Sequence, residues 1–385
     1  MTSGASTVRR GKWDGTDSCG MTSGTGTVRR SKWDGYRFLQ NYKSDFTDEC
    51  LLILNSKTMQ LVLDTKGIQV TKKNDTFHIV GEKGSRSISP GKLTSMAITA
   101  NVLISTGAIS LALQHKIPIL IFDRFGRVKG RFWSPRFESI ATLRRQQVKF
   151  AESTEATVWL IDIFDLKSAG QIRNLQYLQM RQPKYAGAIS KVIQSIKQNN
   201  RNFLKFKSQY PEECKRQMMG VEGTIARLYW QMLGNALPRQ YAFQKRSRRP
   251  AEDIFNACLN YLYGMLYSVI EGGLFHCGLD PYLGILHSDE YNKPTLSFDM
   301  IEPFRPWIDR LLLQECFDRN IQQSFFTKNQ HGIFLNKAGK AHIIPLFNQW
   351  LRKEIKYLDR EASTKNQIYF ICGRLANHIR AGIEE

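Results

Sequence analysis

The sequence predicts an α+β fold, with a small N-terminal β domain followed by a larger all-α domain. Two observations predict it. From Cys50 to about Trp133 the chain runs in short β-branched or aliphatic stretches punctuated by Lys, Gly and Asn-Asp. After "WSP" the apolar residues change period and recur at helical spacing to the end. At 385 residues the chain can bury a sizeable core without help from metal or disulfide.

The N-terminus carries a duplication: "MTSGASTVRRGKWDG" returns as "MTSGTGTVRRSKWDG" at 21–35, with 12 of 15 positions identical. Rich in Gly, Ser and Thr, residues 1–44 have too few apolar residues for a core and read as a disordered extension. Trp13 and Trp33 lie beside Arg pairs, a combination that also suits stacking on nucleic acid. The β domain, 45–130, contains the runs "LLILN", "QLVLD", "IQVTKK" and "FHIV" as strands. "TGAISLALQHK" then reads as one short helix, "IPILIFD" as a buried strand and "RFGRVKGRF" as a hairpin or linker. The junction falls between Asp123 and Pro135. In 131–385, helical spacing marks "IRNLQYLQM", "TIARLYWQML", "NACLNYLYGMLYSVI" and "PWIDRLLLQECF".

Composition narrows the function. The formal charge is +21, and without residues 1–40 there are still 48 basic against 31 acidic residues. That balance points to a polyanionic partner. No run of eighteen apolar residues exists to span a membrane, and no apolar secretory signal begins the chain. Seven scattered cysteines without a CxxC pair suit a reducing cytoplasm. A P-loop, HExxH, GxSxG and a Rossmann glycine fingerprint are all absent, which leaves nucleotide hydrolysis and acyl transfer without machinery.

Three stretches carry chemistry. "GILHSDEYNKPTLSFDMIEPFRP" brings His287, Asp299 and Glu302 close in sequence. "PTLSFD" looks like a short strand, and "MIEPFRPWIDRLLL" like a helix beginning near Asp299. Carboxylates three apart on a helix repel unless a cation or proton lies between them. An imidazole with hard carboxylate oxygens suits Mn²⁺ or Mg²⁺. The same spacing also fits Asp299 as N-cap and Glu302 as its capping-box partner, and spacing alone favours that cap. "MMGVEGTIARLYWQML" places Glu222 between Gly220 and Gly223 at an expected helix start, with Tyr229 and Trp230 as core. "LPRQYAFQKRSRRPAED" collects Arg239, Lys245, Arg246, Arg248 and Arg249 in an expected exposed basic loop, suited to phosphate or simply solvated.

In this order, "GVEGTIARLYW", "KRSRRPAEDIFNACLNYLYGMLYSVIE" and "GLDPYLGILHSDEYNKPTLSFDMIEPFRPWIDR" resemble one family, CRISPR-associated protein one, the integrase and endonuclease of CRISPR adaptation. The resemblance spans roughly 45–385. It implies an N-terminal β-sandwich, a helical catalytic domain and a divalent Mg²⁺ or Mn²⁺. Carried over by motif, Glu222, His287 and Glu302 are the implied ligands, with Asp299 as a further ligand or an orienting group. The implied reaction is attack by a DNA 3′-hydroxyl on a repeat phosphodiester, with double-stranded DNA as substrate. The implied assembly is a homodimer bridged by CRISPR-associated protein two in a prokaryotic cytoplasm. A transposon-type integrase and a non-catalytic scaffold for branched DNA are the alternatives. The duplicated N-terminus has no counterpart in the family pattern.

Overall fold

The computed structural model describes residues 59–381 apart from 83, 123–127, 133–140, 249, 288–292 and 358–359. The duplicated segment, "LLILN", Arg249 and most of the expected domain junction lie outside the described residues.

Two four-stranded sheets come first. One holds β1 (Met59–Leu63), β5 (Leu93–Ile98), β7 (Ile119–Phe122) and β8 (Val128–Phe132) in that order, parallel except for the antiparallel β7–β8 pair. The other runs β4 (Gly84–Ile88), β3 (Thr76–Gly81), β2 (Gln69–Lys73) and β6 (Leu103–Ile104). The Asn-Asp punctuation has a clear cause. Asn74 and Asp75 both have positive φ, 46° and 52°, and form a two-residue loop closing the Lys73–Thr76 pair. Such a turn matches the right-handed twist of its strands, and Asn and Asp tolerate that conformation. Leu63, Val70, Phe77, Met96 and Ile119 from both sheets share one core with α1 (Thr106–Gln114). Ser105 caps α1 by accepting a 3.1 Å bond from Ala108 N–H. Strands β4, β5 and β6 escape the sequence reading because only short apolar runs mark them.

A second core is helical, built from α2 (Ala141–Ala151), α3 (Thr154–Arg181), α4 (Ala186–Asn200), α5 (Pro211–Ala236) and α6 (Ile254–His276), then α7 (Thr295–Met300) and α8 (Arg305–Phe317). Two hairpins that helical periodicity misses, β9–β10 (Phe326–Asn329 and Gly332–Leu335) and β11–β12 (Glu354–Tyr357 and Arg360–Ser363), flank α9 (Lys337–Arg352); α10 (Thr364–Ala381) follows. Arg131 of β8 pairs with Glu271 of α6 and lies 4.0 Å from the Phe275 ring centre, tying sheet to helices.

Two local expectations are corrected. "PTLSFD" forms helix α7 instead of a strand: Phe298 N–H bonds back to Pro294 O at 3.3 Å and Ile301 N–H to Ser297 O at 3.1 Å, the i to i−4 pattern of a helix. Glu222 lies in the middle of α5. Pro211 at its first turn and Glu213, which accepts from Tyr210 N–H at 3.0 Å, start that helix earlier than the glycines suggest.

Helix α3 crosses close to the start of α8 because Gly170 has no side chain. A Cβ there would lie 2.7 Å from Pro306 Cβ. Gly170→Ala is expected to destabilise by about 1–3 kcal/mol, the usual cost of overpacking, read as a lower urea midpoint.

Candidate active site

The helical domain brings the charged residues of three separate segments together. Lys167 projects from α3, Glu222 from α5, and Glu302 from a 3₁₀ turn, Glu302–Phe304, between α7 and α8. The Lys167 ammonium contacts Glu222 Oε1 and lies 2.5 Å from Glu302 Oε2. The other oxygen of Glu302 accepts from Arg305 Nε at 2.8 Å. Arg305 in turn donates to the Tyr267 hydroxyl at 2.5 Å and stacks 4.7 Å from the Tyr263 ring centre. Pro303 and Pro306 fall in the first turns of the 3₁₀ segment and α8, where a missing N–H costs nothing. They fix the chain direction that aims Glu302 back at α3.

Burial sets the electrostatics. Burial pushes the Glu302 carboxyl up, but Arg305 and Lys167 outweigh it and hold the group at about 2. Burial likewise opposes the Lys167 charge, yet Glu302 and then Glu222 raise its pKa above the ordinary value. Glu222 is less enclosed, with its side chain 28% exposed. A Cβ added at Gly220 or Gly223 would meet nothing within 4 Å, so both glycines border open space on the surface of α5.

His287 and Asp299 form a second unit. Asp299 is buried on α7, and its carboxylate accepts from Ile285 N–H at 2.8 Å and Leu286 N–H at 3.1 Å through one oxygen. The other oxygen accepts from His287 N–H at 3.3 Å and from His287 Nδ1 at 2.6 Å. A carboxylate can only accept, so Nδ1 carries a proton, and in the neutral ring Nε2 presents the lone pair. Burial disfavours the imidazolium, while the Asp299 hydrogen bond and charge favour it more, for a net raised pKa. Asp299 is thus not the N-cap that its spacing to Glu302 suggests. It lies near the end of α7 and receives the 285–287 loop instead.

Chemically the donor set suits a hard divalent cation: two carboxylates converge on one positive charge, and an oriented imidazole lies near enough to sense Glu302. As they stand, no three His, Cys, Asp or Glu side chains among the described residues are grouped to hold a metal ion. Lys167 Nζ stands between Glu222 and Glu302. Sequence reading missed Lys167 and Arg305. The available signal was a lone lysine after an apolar run in "VWLIDIFDLKSAG".

The basic loop divides. Arg239, Lys245 and Arg248 are exposed, although Lys245 lies 3.1 Å from Glu252. Arg246 departs from the expected exposed loop and turns inward. It donates to Ser247 O at 2.6 Å and Asn256 Oδ1 at 2.9 Å, and its guanidinium lies 5.6 Å from the Tyr263 ring centre. Tyr263 and Tyr229 both donate to buried Asp309, at 2.5 and 3.0 Å, so Tyr229 is core with its hydroxyl satisfied. Burial pushes the Cys258 thiol up and away from reactivity.

A two-sheet part joined to a larger helical part is an architecture already seen in solved structures. The fold is similar to that of a casposase bound to integration product, with a TM-score of 0.71, 22% identity, and coverage of 85% of this chain and 92% of that one. It is also similar to a Cas1 protein from Thermotoga maritima, with a TM-score of 0.66 and 21% identity over 83% of this chain and 96% of that one. The family model described as CRISPR associated protein Cas1 matches residues 61–349, and the chain belongs to that family. Among curated relatives, CRISPR-associated endonuclease Cas1 1 of Archaeoglobus fulgidus is 28% identical over 69% of this chain and 80% of its own length. CRISPR-associated endonuclease Cas1 of Methanocaldococcus jannaschii is 25% identical over 80% of this chain and 91% of its own. No helix among the described residues is long and apolar enough to cross a membrane.

Proposed function

We propose that this chain is a DNA endonuclease and integrase of CRISPR adaptation, dependent on Mg²⁺ or Mn²⁺, which inserts spacer DNA by 3′-hydroxyl attack on a repeat phosphodiester. The observation that carries this reading is the convergence of Glu222 and Glu302 on one cationic centre, beside an imidazole that Asp299 orients. Family membership supports it, as do relatives named as endonucleases. In this reading residues 45–130 form a β-sandwich domain and 131–385 the catalytic domain.

Glu222, His287 and Glu302 would hold the metal, and Asp299 would orient His287 rather than ligate, since both its oxygens already accept bonds. A bound divalent cation would supply positive charge at the reacting phosphate. Arg305 fixes the rotamer of Glu302, and Asp299 keeps the proton on Nδ1 so that Nε2 stays free. The reaction needs no side-chain nucleophile, because the DNA hydroxyl attacks. Arg239, Lys245 and Arg248, with neighbouring Arg249, would hold backbone phosphates, while Arg246 supports the loop from within.

Arg248→Ala is therefore expected to weaken DNA binding and lower the magnitude of its log–log salt slope by about 1. Arg246→Ala is expected to lower stability instead. Binding titrations over a salt series separate the two. The solved neighbours include a Cas6-RT-Cas1–Cas2 complex, which supports Cas2 as a partner; a homodimer bridged by Cas2 is the working assembly of this reading.

The test is integration of a labelled DNA end into a repeat-bearing plasmid, with and without Cas2, Mn²⁺ and EDTA. Metal-dependent joining at repeat borders is the expected result. Joining insensitive to EDTA, or none with Mn²⁺ and Cas2 present, overturns the reading in favour of a DNA scaffold. The likeness to a casposase favours one second reading, a transposon-type integrase, which predicts joining without preference for the repeat.

A further inference from the structure

Lys167 is buried, with its side chain 9% exposed, and its ammonium contacts one oxygen of each of two glutamates from different segments. Carboxylates held this close repel unless a positive charge lies between them. The ammonium supplies that charge from within the chain. Arg305 does not take this place, because it engages the other Glu302 oxygen and the Tyr267 hydroxyl. A divalent cation drawn to Glu222 and Glu302 would need the space and the oxygens that Lys167 already uses. Two cations between one pair of carboxylates also repel each other strongly in a poorly hydrated site.

We propose that Lys167 is an intramolecular counter-ion that a divalent metal must displace, so that it stabilises the metal-free site and weakens metal affinity. The proposal rests on the metal-site reading above. Lys167 is then a positioning residue: it keeps Glu222 and Glu302 converged while no metal is bound, and it withdraws when one binds.

The test uses the full chain and Mn²⁺ alone, without DNA. Electron paramagnetic resonance of free Mn²⁺ is titrated against wild type, Lys167→Met and Lys167→Arg, with circular dichroism checking each fold. Lys167→Met is expected to bind at least tenfold more tightly than wild type, and Lys167→Arg no more tightly. A second measurement needs no variant: acetylation of wild type by an N-hydroxysuccinimide ester, followed by mass spectrometry. Labelling of Lys167 is expected to accelerate severalfold in saturating Mn²⁺ as the side chain is released. A folded Lys167→Met with equal or weaker affinity overturns the proposal, and so does labelling that Mn²⁺ leaves unchanged. If wild type binds Mn²⁺ and Lys167→Met matches it, only the counter-ion role falls. If neither binds Mn²⁺, the metal-site reading falls with it.

Discussion

Glu302→Ala is expected to abolish strand transfer and to destabilise the protein by about 3–5 kcal/mol, the usual cost of leaving a buried charge without its partner. The two effects have separate origins. Stability falls because Glu302 sits between Lys167 and Arg305, both largely enclosed, and its removal leaves two buried cations with too little negative charge. Strand transfer falls because one of the two converging carboxylates is gone. Glu222→Gln separates the origins. Its side chain is 28% exposed, so transfer is expected to vanish with a much smaller loss of stability.

Acid adds a further check on Glu302. A carboxyl held at about 2 instead of 4.5 contributes on the order of 3 kcal/mol to folding at neutral pH. The folded value is depressed, so this stabilisation is complete above 4.5 and is lost as pH falls through the range down to about 2. The stability gap between wild type and Glu302→Gln should therefore be wide at pH 6 and narrow steadily below 4.5, read from urea midpoints. A gap that stays constant with pH would show that Glu302 is not the anion holding Lys167 and Arg305.

The sequence made the division into sheets and helices legible, because the apolar period changes near "WSP" and periodicity depends only on local order. Convergence in space left no such trace. Glu222 looked like the start of a helix because glycines flank it, yet α5 begins eleven residues earlier and carries Gly220 and Gly223 in its interior. Helix-interior glycines each cost about 1 kcal/mol relative to alanine, a penalty that periodicity does not reveal. Asp299 and Glu302 had the spacing of a capping box, but that rule assumes one continuous helix. The chain instead ends α7, makes a 3₁₀ turn and restarts at Arg305. The turn sends the two carboxylates to different partners. Lys167 lay 55 residues before Glu222, the nearer in sequence of the two glutamates it contacts, in a stretch that reads as core, and local rules gave no way to pair it.

Asp299 gives the second large expected effect, and here the conservative substitution is the more informative. Asp299→Ala removes the acceptor of three backbone N–H groups and of His287 Nδ1. Each N–H left buried and unsatisfied costs about 1–3 kcal/mol, so the alanine variant should lose both fold and activity. Asp299→Asn keeps the shape and one acceptor oxygen. If that oxygen stays with Ile285 and Leu286, the amide NH₂ faces His287 Nδ1. Two donors cannot face each other, so the imidazole proton must move to Nε2. The fold should survive at a modest cost, but the nitrogen that would meet the metal no longer offers a lone pair. Loss of an orienting partner of this kind typically weakens metal binding about 10–100-fold. The expected result is a folded Asp299→Asn protein with weak Mn²⁺ binding and little strand transfer. Nitrogen-15 chemical shifts of His287 should report the proton on Nε2 rather than Nδ1. Normal Mn²⁺ affinity in a variant whose tautomer has switched would remove His287 from the metal site, and Asp299 would then serve only to hold the 285–287 loop.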